Sequence, residues 1–100
     1  RLMVTFQGED ETAVVRGAVK FRDSLVQCLA QPEYAAQRVT VLGPAPCPVP
    51  KINYHYRHRL TVCGDMDRPM RFLIAWLLQQ FGKDKDSRGV SAFADVNGFE

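Results

Sequence analysis

The sequence predicts an α+β fold of the split β-α-β (ferredoxin-like) type, a sandwich in which two helices cover one face of a four-stranded antiparallel sheet. Three observations predict it. Alternating apolar residues begin the chain, stretches of helical period cover residues 12–30 and 68–82, and a β-branched segment and a basic aromatic segment lie between them. The resulting order is β-α-β-β-α-β, and the second face of the sheet is expected to be open.

The first strand and helix take up residues 1–30. Leu2, Val4 and Phe6 alternate with other residues at the period of a half-buried strand. Acidic residues then precede a helix in which Asp10 or Thr12 can cap free N–H groups. Its core-facing arc comprises Val14, Ala18, Phe21, Leu25, Cys28 and Leu29.

A short second strand at residues 38–42 leads into a proline-rich segment at residues 43–50. Each proline fixes φ and removes a backbone donor, so this segment is expected to be a stiff, extended connector. It would aim a third strand, Tyr54–Cys63, whose alternate residues Tyr54, Tyr56, His58, Leu60 and Val62 face the helices.

The second helix is expected to begin after Asp67, because Pro69 is tolerated in a first turn, and to end at Gly82. Its apolar stripe comprises Met70, Leu73, Ile74, Leu77, Leu78 and Phe81. A polar loop at residues 83–89 leads to the last strand at residues 90–96.

The composition is that of one domain covering residues 1–100, with 46% apolar content and a net charge of +2. Cys28, Cys47 and Cys63 form no C-x-x-C pair, so neither a disulfide framework nor a zinc site is predicted, and a cytoplasmic setting is expected. No apolar run approaches the ~20 residues of a membrane span. Because the strand pattern is already running at Arg1, we expect the domain to be part of a longer protein.

The open sheet face is the first candidate binding surface. The period of the third strand directs His55, Arg57 and Arg59 away from the helices, with Arg38 and Thr40 on one neighbouring strand and Thr5 and Gln7 on the other. Guanidinium groups bind phosphate oxygens bidentately, which favours a nucleic-acid backbone as ligand. The alternative is a solvated face whose arginines pair with Asp95 and other acids, since a charge of +2 is a weak basic footprint.

The second helix supplies another candidate surface. Phe72 and Trp76 lie one turn apart and opposite its apolar stripe, with Arg68 and Arg71 nearby. Aromatic side chains and arginine dominate interface hot spots, so this patch suits a peptide with apolar and acidic side chains. Alternatively, Trp76 packs against the first helix or against another domain.

Catalysis finds little support in the sequence. Asp65 and Asp67 precede a helix, where capping explains them. His55 and His58 are three apart on a strand and therefore face opposite ways, which disfavours a shared metal. No cysteine has an evident base, and no phosphate-binding loop of the G-x-x-x-x-G-K-[ST] type occurs. The sequence predicts a binding module without catalytic residues, metal or cofactor of its own.

Several motifs, in order and at their spacing, resemble the C-terminal domain family of PriA, the primosomal protein N-prime. They are Val41-Leu42-Gly43-Pro44-Ala45-Pro46, the Tyr56-Arg57 pair in a strand ending Leu60-Thr61-Val62, and Ala94-Asp95-Val96-Asn97. The resemblance covers nearly the whole chain.

This resemblance implies a parent protein that is a bacterial ATP-dependent 3′ to 5′ DNA helicase, which recognises stalled replication forks and directs replication restart. The C-terminal domain of that family has a fold like ribosomal protein S10 and helps to bind branched or single-stranded DNA and single-stranded-DNA-binding protein. ATP, magnesium and zinc would be bound by other domains of the parent helicase, so this fragment is expected to have no enzyme activity.

The resemblance also assigns roles to particular residues. It implies that Gly43 and Pro44 shape a turn, that Arg57 is the family's strand arginine, and that Arg68 lies where the family has basic residues for the acidic tail of the binding protein. Two positions depart from the family pattern: Gly98 stands where proline is usual, and Arg59 stands where glutamine is common.

Two functions follow as hypotheses. The first is a DNA-binding and partner-docking module that uses Arg38, His55, Arg57 and Arg59 on DNA. The second is a protein-interaction module in which Arg68, Arg71, Phe72 and Trp76 capture an acidic peptide and DNA binding is incidental. A small-molecule regulatory domain of the same topology is a third class, but no polar cluster in the sequence demands a pocket.

Overall fold

The computed structural model describes residues 1–96. The elements are β1 Leu2–Gly8, α1 Glu11–Leu29, β2 Thr40–Ile52, β3 His55–Cys63, α2 Arg68–Lys83 and β4 Ser91–Val96, with short 3₁₀ turns at Pro32–Tyr34 and Lys85–Ser87. The predicted β-α-β-β-α-β order is therefore confirmed.

The four strands form one antiparallel sheet in the order β2-β3-β1-β4. β1 lies in the interior of the sheet, so that Val4 pairs with Leu60 on one side and with Ala94 on the other. Because side chains alternate across a strand, one face of the sheet carries Leu2, Val4 and Phe6 toward the helices, and the other face points away from them. This second face is called the open face below.

Both helices begin at the aspartates that the sequence offers as caps. The Asp10 carboxylate accepts hydrogen bonds from the backbone N–H groups of Thr12 (3.0 Å) and Ala13 (3.4 Å). Asp67 accepts one from Met70 N–H at 3.1 Å. Since a cap satisfies donors that have no partner inside the helix, Asp10 and Asp67 fix where α1 and α2 begin.

The core lies between the sheet and the two helices. Three phenylalanines at its centre meet edge to face: the Phe6 ring centroid lies 5.4 Å from that of Phe21 and 5.5 Å from that of Phe81. Edge-to-face rings add to the stabilisation that burial gives. The remaining buried apolar side chains of the core cluster are Leu2, Val4, Val14, Ala18, Leu25, Leu60, Val62, Met70, Leu73, Ile74 and Leu77.

The proline-rich segment is extended, as predicted, but it is not a connector between separate strands. It is part of β2, which continues to Ile52 and pairs with β3 through two irregularities, between Leu42 and Ala45 and between Pro46 and Lys51. Prolines are accepted there because β2 is an edge strand, where a missing N–H removes no bond inside the sheet. Cys47, between the prolines, is buried.

A two-residue turn joins β2 to β3. Asn53 and Tyr54 both have positive φ, at 51° and 66°, the combination that defines a type I′ hairpin. The prediction that Tyr54 begins the third strand and faces the helices is therefore wrong. The turn places its side chain in solvent, with 82% of its surface exposed.

An ion pair ties the end of α2 to α1. Lys20 Nζ donates to Asp84 Oδ2, and Asp86 Oδ2 lies 3.7 Å from the same nitrogen. The hydrogen bond from Lys20 lowers the pKa of Asp84 below its usual 3.8, and the same bond raises the pKa of Lys20 above 10.5. The pair thus fixes the segment after α2 to the outer surface of α1.

Within residues 1–96, no helix is both long enough and apolar enough to cross a lipid bilayer.

Candidate nucleic-acid interface and docking groove

Arg57 and Arg59 lie side by side on the open face. In β3, His58 and Leu60 are buried toward the helices, so Arg57 and Arg59, which alternate with them, point the other way. Arg57 pairs with Gln7 and Arg59 with Thr5 of β1. Two positions along a strand separate their Cα atoms by roughly 7 Å, so both guanidinium groups are within reach of one polyanionic backbone.

The middle of the open face is less accessible than expected. Thr5 is only 6% exposed and Met3 only 5%. Thr5 lies between Arg59 on β3 and Phe93 on β4, so longer side chains flank it on both sides. Thr5 therefore forms the floor of the face, and Arg59 and Phe93 form its surface.

Phe93 is the residue that sequence reasoning missed. It pairs with Thr5, is 44% exposed, and completes a cross-strand row with Arg59. The alternation of Ser91, Phe93 and Asp95 with small apolar residues in β4 was the signal that could have found it. An exposed aromatic ring on the same face as a guanidinium group, about 10 Å away, is a platform on which a nucleobase can stack while the arginine holds a phosphate.

Arg57 is oriented by the second irregularity of β2. Its Nη1 atom donates to the carbonyl oxygen of Val49 at 3.3 Å, inside the stretch where β2 bulges opposite β3. One edge of the guanidinium group is thereby held by backbone, and the side chain is half-buried. The structure thus gives Arg57 a defined direction on the open face.

Of the other two predicted DNA contacts, His55 lies close to Arg57 and Arg38 lies far from it. His55 begins β3 next to the hairpin turn, where its Nδ1 atom lies 2.9 Å from the carbonyl oxygen of Asn53. Arg38 is exposed and precedes β2, whose residue Thr40 pairs with Cys63. At about 3.3 Å per strand residue, Arg38 lies roughly 25 Å along the sheet from Arg57. The structure therefore groups His55, Arg57 and Arg59 along β3 and leaves Arg38 at the opposite end.

Asp95 is the acid expected to pair with the arginines if the open face is only a solvated surface. Asp95 pairs in the sheet with Met3, and Met3 pairs with Thr61 on its other side. It therefore lies on the open face in the row next to that of Arg59 and Phe93.

The second candidate surface is a groove between α2 and the end of α1. Its volume is about 270 Å³, and we call it the docking groove; its lining residues are Cys28, Gln31, Glu33, Tyr34, Phe72, Leu73 and Trp76. Phe72 is 71% exposed and Trp76 47%. The two aromatic side chains form one wall, and the 3₁₀ turn at Pro32–Tyr34 contributes to the other.

Two arginines lie on α2 near this groove without lining it. Arg68 precedes Phe72 by four residues, and Trp76 follows by four more, so the three side chains form one stripe along α2. Arg71 is exposed on the same two turns. Among the described residues, Glu33 is the one charged residue that lines the groove, on the opposite wall, so the positive charge of the arginines lies beyond the groove, toward the start of α2.

The cysteines and histidines show no shared site. Within residues 1–96, no group of three or more His, Cys, Asp or Glu side chains is placed to hold a metal ion. His58 points into the helix side, where its Nε2 lies 3.2 Å from Glu11 Oε2, whereas His55 is at the hairpin. None of Cys28, Cys47 and Cys63 is in a disulfide.

Comparison with known families decides what kind of domain this is. The model of the primosomal protein N C-terminal domain matches residues 1–97, nearly the entire length. The chain belongs to that family. It is accordingly a C-terminal module of the primosomal protein PriA, a protein of replication restart. A search among curated proteins returned no significant match.

The primosomal family motifs can now be placed on the fold. Gly43 has a φ of 98°, and a Cβ atom there would lie 3.0 Å from the backbone oxygen of Arg59. A side chain would therefore be strained at this position, which explains a glycine at the first irregularity of β2. The peptide bond from Gly43 to Pro44 is cis. Asn97 and Gly98 lie outside the described residues.

Proposed function

We propose that this primosomal domain binds single-stranded or forked DNA through its open face and docks the acidic tail of single-stranded-DNA-binding protein in its groove. It would act in the cytoplasm within a replication-restart helicase whose ATP, magnesium and zinc are held by other domains, and it would itself be no enzyme. The observation that carries the DNA-binding part is the row of Arg59, Thr5 and Phe93 beside Arg57.

The chemistry of this row fits a nucleic-acid strand. A guanidinium group binds phosphate oxygens with two parallel hydrogen bonds. An exposed phenylalanine stacks on any base, because every base has a π face. Arg59 and Phe93 both pair with Thr5, one on each side of β1. They are therefore two interstrand spacings apart, which is about 10 Å. One strand of DNA could therefore contact both residues at once.

The affinity is expected to be modest. Arg57 and Arg59 supply at most a few phosphate contacts, and the net charge of the chain is only +2. Non-specific binding of this kind falls at dissociation constants of about 10⁻⁴ to 10⁻⁶ M at physiological salt. The isolated domain would thus add to the affinity of a larger protein rather than bind DNA tightly alone.

The first prediction concerns the two arginines. Arg57→Ala combined with Arg59→Ala should weaken single-stranded DNA binding, because phosphate contacts are lost. The slope of log K against log salt should become shallower by about 0.7 for each lost contact. Fluorescence anisotropy with labelled single-stranded and forked DNA at several salt concentrations measures both quantities.

A matched control removes the same charge elsewhere. Arg16→Ala with Lys85→Ala replaces two exposed basic residues, on α1 and in the second 3₁₀ turn. If this control weakens binding as much as the open-face variant, general charge and not the open face determines binding. Equal affinity of the open-face variant and wild type would contradict the proposed interface.

The alternative function, capture of an acidic peptide without significant DNA binding, is favoured by the docking groove. Phe72 and Trp76 leave large apolar surface exposed, and Arg68 lies one turn before them. Exposed aromatic side chains beside arginine are typical of interface hot spots. A peptide with apolar side chains in the groove and acids beyond it, toward Arg68 and away from Glu33, matches both features.

The second prediction concerns this groove. Trp76→Ala should weaken binding of an acidic tail peptide by at least about 2 kcal/mol, the size of a hot-spot loss. Isothermal titration calorimetry with the peptide measures the loss. Gln79→Ala, an exposed position on the same helix, is the control. Peptide binding that survives Trp76→Ala would remove the groove from the proposal, and a large fall in melting temperature would make Trp76 a core residue.

A further inference from the structure

We propose that the tip of the β2–β3 hairpin is a second DNA contact, in which Tyr54 stacks on an unpaired base and Lys51 binds the adjacent phosphate. The hairpin tip comprises Lys51, Ile52, Asn53, Tyr54 and Tyr56. This inference rests on the proposed DNA-binding function, which it extends to a site separate from the open-face row of Arg59 and Phe93.

At the tip, the ammonium group of Lys51 lies near the rings of Tyr54 and Tyr56. Lys51 Nζ lies 4.7 Å from the centroid of the Tyr56 ring and 6.0 Å from that of Tyr54. Both distances are within the range of cation–π attraction, so the ammonium group is held near the rings. Tyr56 is half-buried, but Tyr54 is 82% exposed. The Tyr54 ring therefore presents apolar surface to a ligand, with a positive charge beside it.

The backbone at Tyr54 gives an independent indication of function. Its φ is 66°, a backbone conformation that residues other than glycine and asparagine seldom adopt. Asn-Gly is the most favourable pair for this turn, and the chain has Asn53-Tyr54 instead. Tyr54 thus places a bulky ring at a position where the backbone favours glycine, and this ring is largely exposed to solvent. Backbone outliers of this kind cluster at binding sites, which supports a binding role for Tyr54.

The features of the tip fit an unpaired nucleotide. Aromatic stacking is open to any base, but only if the base is not already stacked and paired in a duplex. A phosphate next to that base would meet the ammonium group of Lys51. Tyr54 lies in the turn that precedes β3, three residues or about 10 Å from Arg57. Lys51 pairs with Tyr56, and both face away from the open face, so a DNA strand held by Arg57 would reach them around the end of the hairpin.

The test uses the full chain and single-stranded DNA that carries 2-aminopurine, whose fluorescence is quenched when it stacks. Tyr54→Gly removes the ring and gives the turn its preferred residue, so the variant should fold at least as well as wild type. Tyr54→Phe keeps the ring and serves as the control. A blunt duplex of the same length serves as the substrate without unpaired bases.

We expect Tyr54→Gly to weaken single-stranded binding by about 5- to 150-fold, the range for one stacked base. It should also reduce the quenching, while Tyr54→Phe and binding to the blunt duplex stay unchanged. If Tyr54→Gly binds single strands as wild type does while the Arg57 and Arg59 double variant does not, the hairpin tip is excluded and the open face stands. If wild type binds neither substrate at low salt, the proposed DNA-binding function and the hairpin contact are both overturned.

Discussion

Gly64 is a residue whose lack of a side chain allows two chain segments to meet. Its φ is 141°, and a Cβ atom at this position would lie 2.6 Å from the backbone oxygen of Arg38. Real Cβ atoms do not approach a carbonyl oxygen this closely, so any side chain would push the start of β2 away from the end of β3. Gly64 thus sets where Arg38 lies.

The third prediction follows from this contact. Gly64→Ala should lower the free energy of unfolding by at least about 2 kcal/mol, because strain and the clash act together. Urea denaturation measures the change. Gly82→Ala is the matched control, since Gly82 lies in α2 with no other atom within 4 Å of the added Cβ. Alanine there should stabilise the helix by up to about 1 kcal/mol. Similar effects of the two substitutions would contradict this account.

At the scale of elements, Asp84 connects α2, α1 and the second 3₁₀ turn. It follows α2, pairs with Lys20 of α1, and accepts a hydrogen bond from Asp86 N–H at 3.0 Å in the second 3₁₀ turn. The lowered pKa of Asp84 comes first from the hydrogen bond with Lys20. Its carboxylate therefore favours the folded state whenever it is charged.

The fourth prediction is the pH dependence of this link. The pKa of Asp84 is lower in the folded protein than its usual 3.8, so its contribution is complete above that value and is lost as pH falls through the folded pKa. Asp84→Asn keeps an acceptor for Asp86 N–H but removes the charge. It should lower the melting temperature at pH 7, and the difference from wild type should shrink as the pH falls below 3.8.

Circular dichroism melts from acid to neutral pH give this comparison. Asp86→Asn is the control, because the Asp86 carboxylate lies 3.7 Å from Lys20 and is 85% exposed. Its effect should be smaller at every pH, since exposed pairs contribute little. A pH-independent difference for Asp84→Asn would show that its hydrogen bonds, and not its charge, hold the segment.

Most elements could be predicted because local signals agreed with the tertiary fold. The alternation in β1 and β3, the capping aspartates and the apolar stripes of α1 and α2 each gave the correct element. The separate proline connector was wrong because the sequence does not show that β2 is an edge strand, where prolines are accepted. Tyr54 was misplaced because Asn53-Tyr54 lacks the glycine that usually marks a type I′ turn.

The candidate sites were predicted less completely than the fold. The period of β3 placed Arg57 and Arg59 correctly on the open face, because alternation needs no knowledge of partners. Phe93 was missed because its importance depends on the pairing of β4 with β1, which brings it across from Thr5. The docking groove needed the relative position of α1 and α2, which no local pattern gives.

At the scale of the molecule, the two candidate surfaces lie on opposite layers. The open face is the side of the sheet away from the helices, and the docking groove lies between α2 and the end of α1 in the helical layer. The sheet and core separate them. A strand of DNA and a peptide should therefore fit at the same time without touching.

The fifth prediction is that the two ligands bind independently. A saturating acidic peptide should change the dissociation constant for single-stranded DNA by less than about fivefold, the lower end of typical coupling between linked sites. Anisotropy of labelled DNA with and without the peptide measures this. Competition abolished by Trp76→Ala would instead place both ligands on one surface.

The prolines of β2 have a consequence for the growth of the sheet. β2 and β4 are its two edges, and an edge strand with free N–H and C=O groups is a template for a further strand. Pro44, Pro46, Pro48 and Pro50 take donors away from one edge, and the irregular pairing of β2 bends it. The sheet is therefore protected against self-association on the β2 side, and an additional strand from a neighbouring domain would be accommodated along β4.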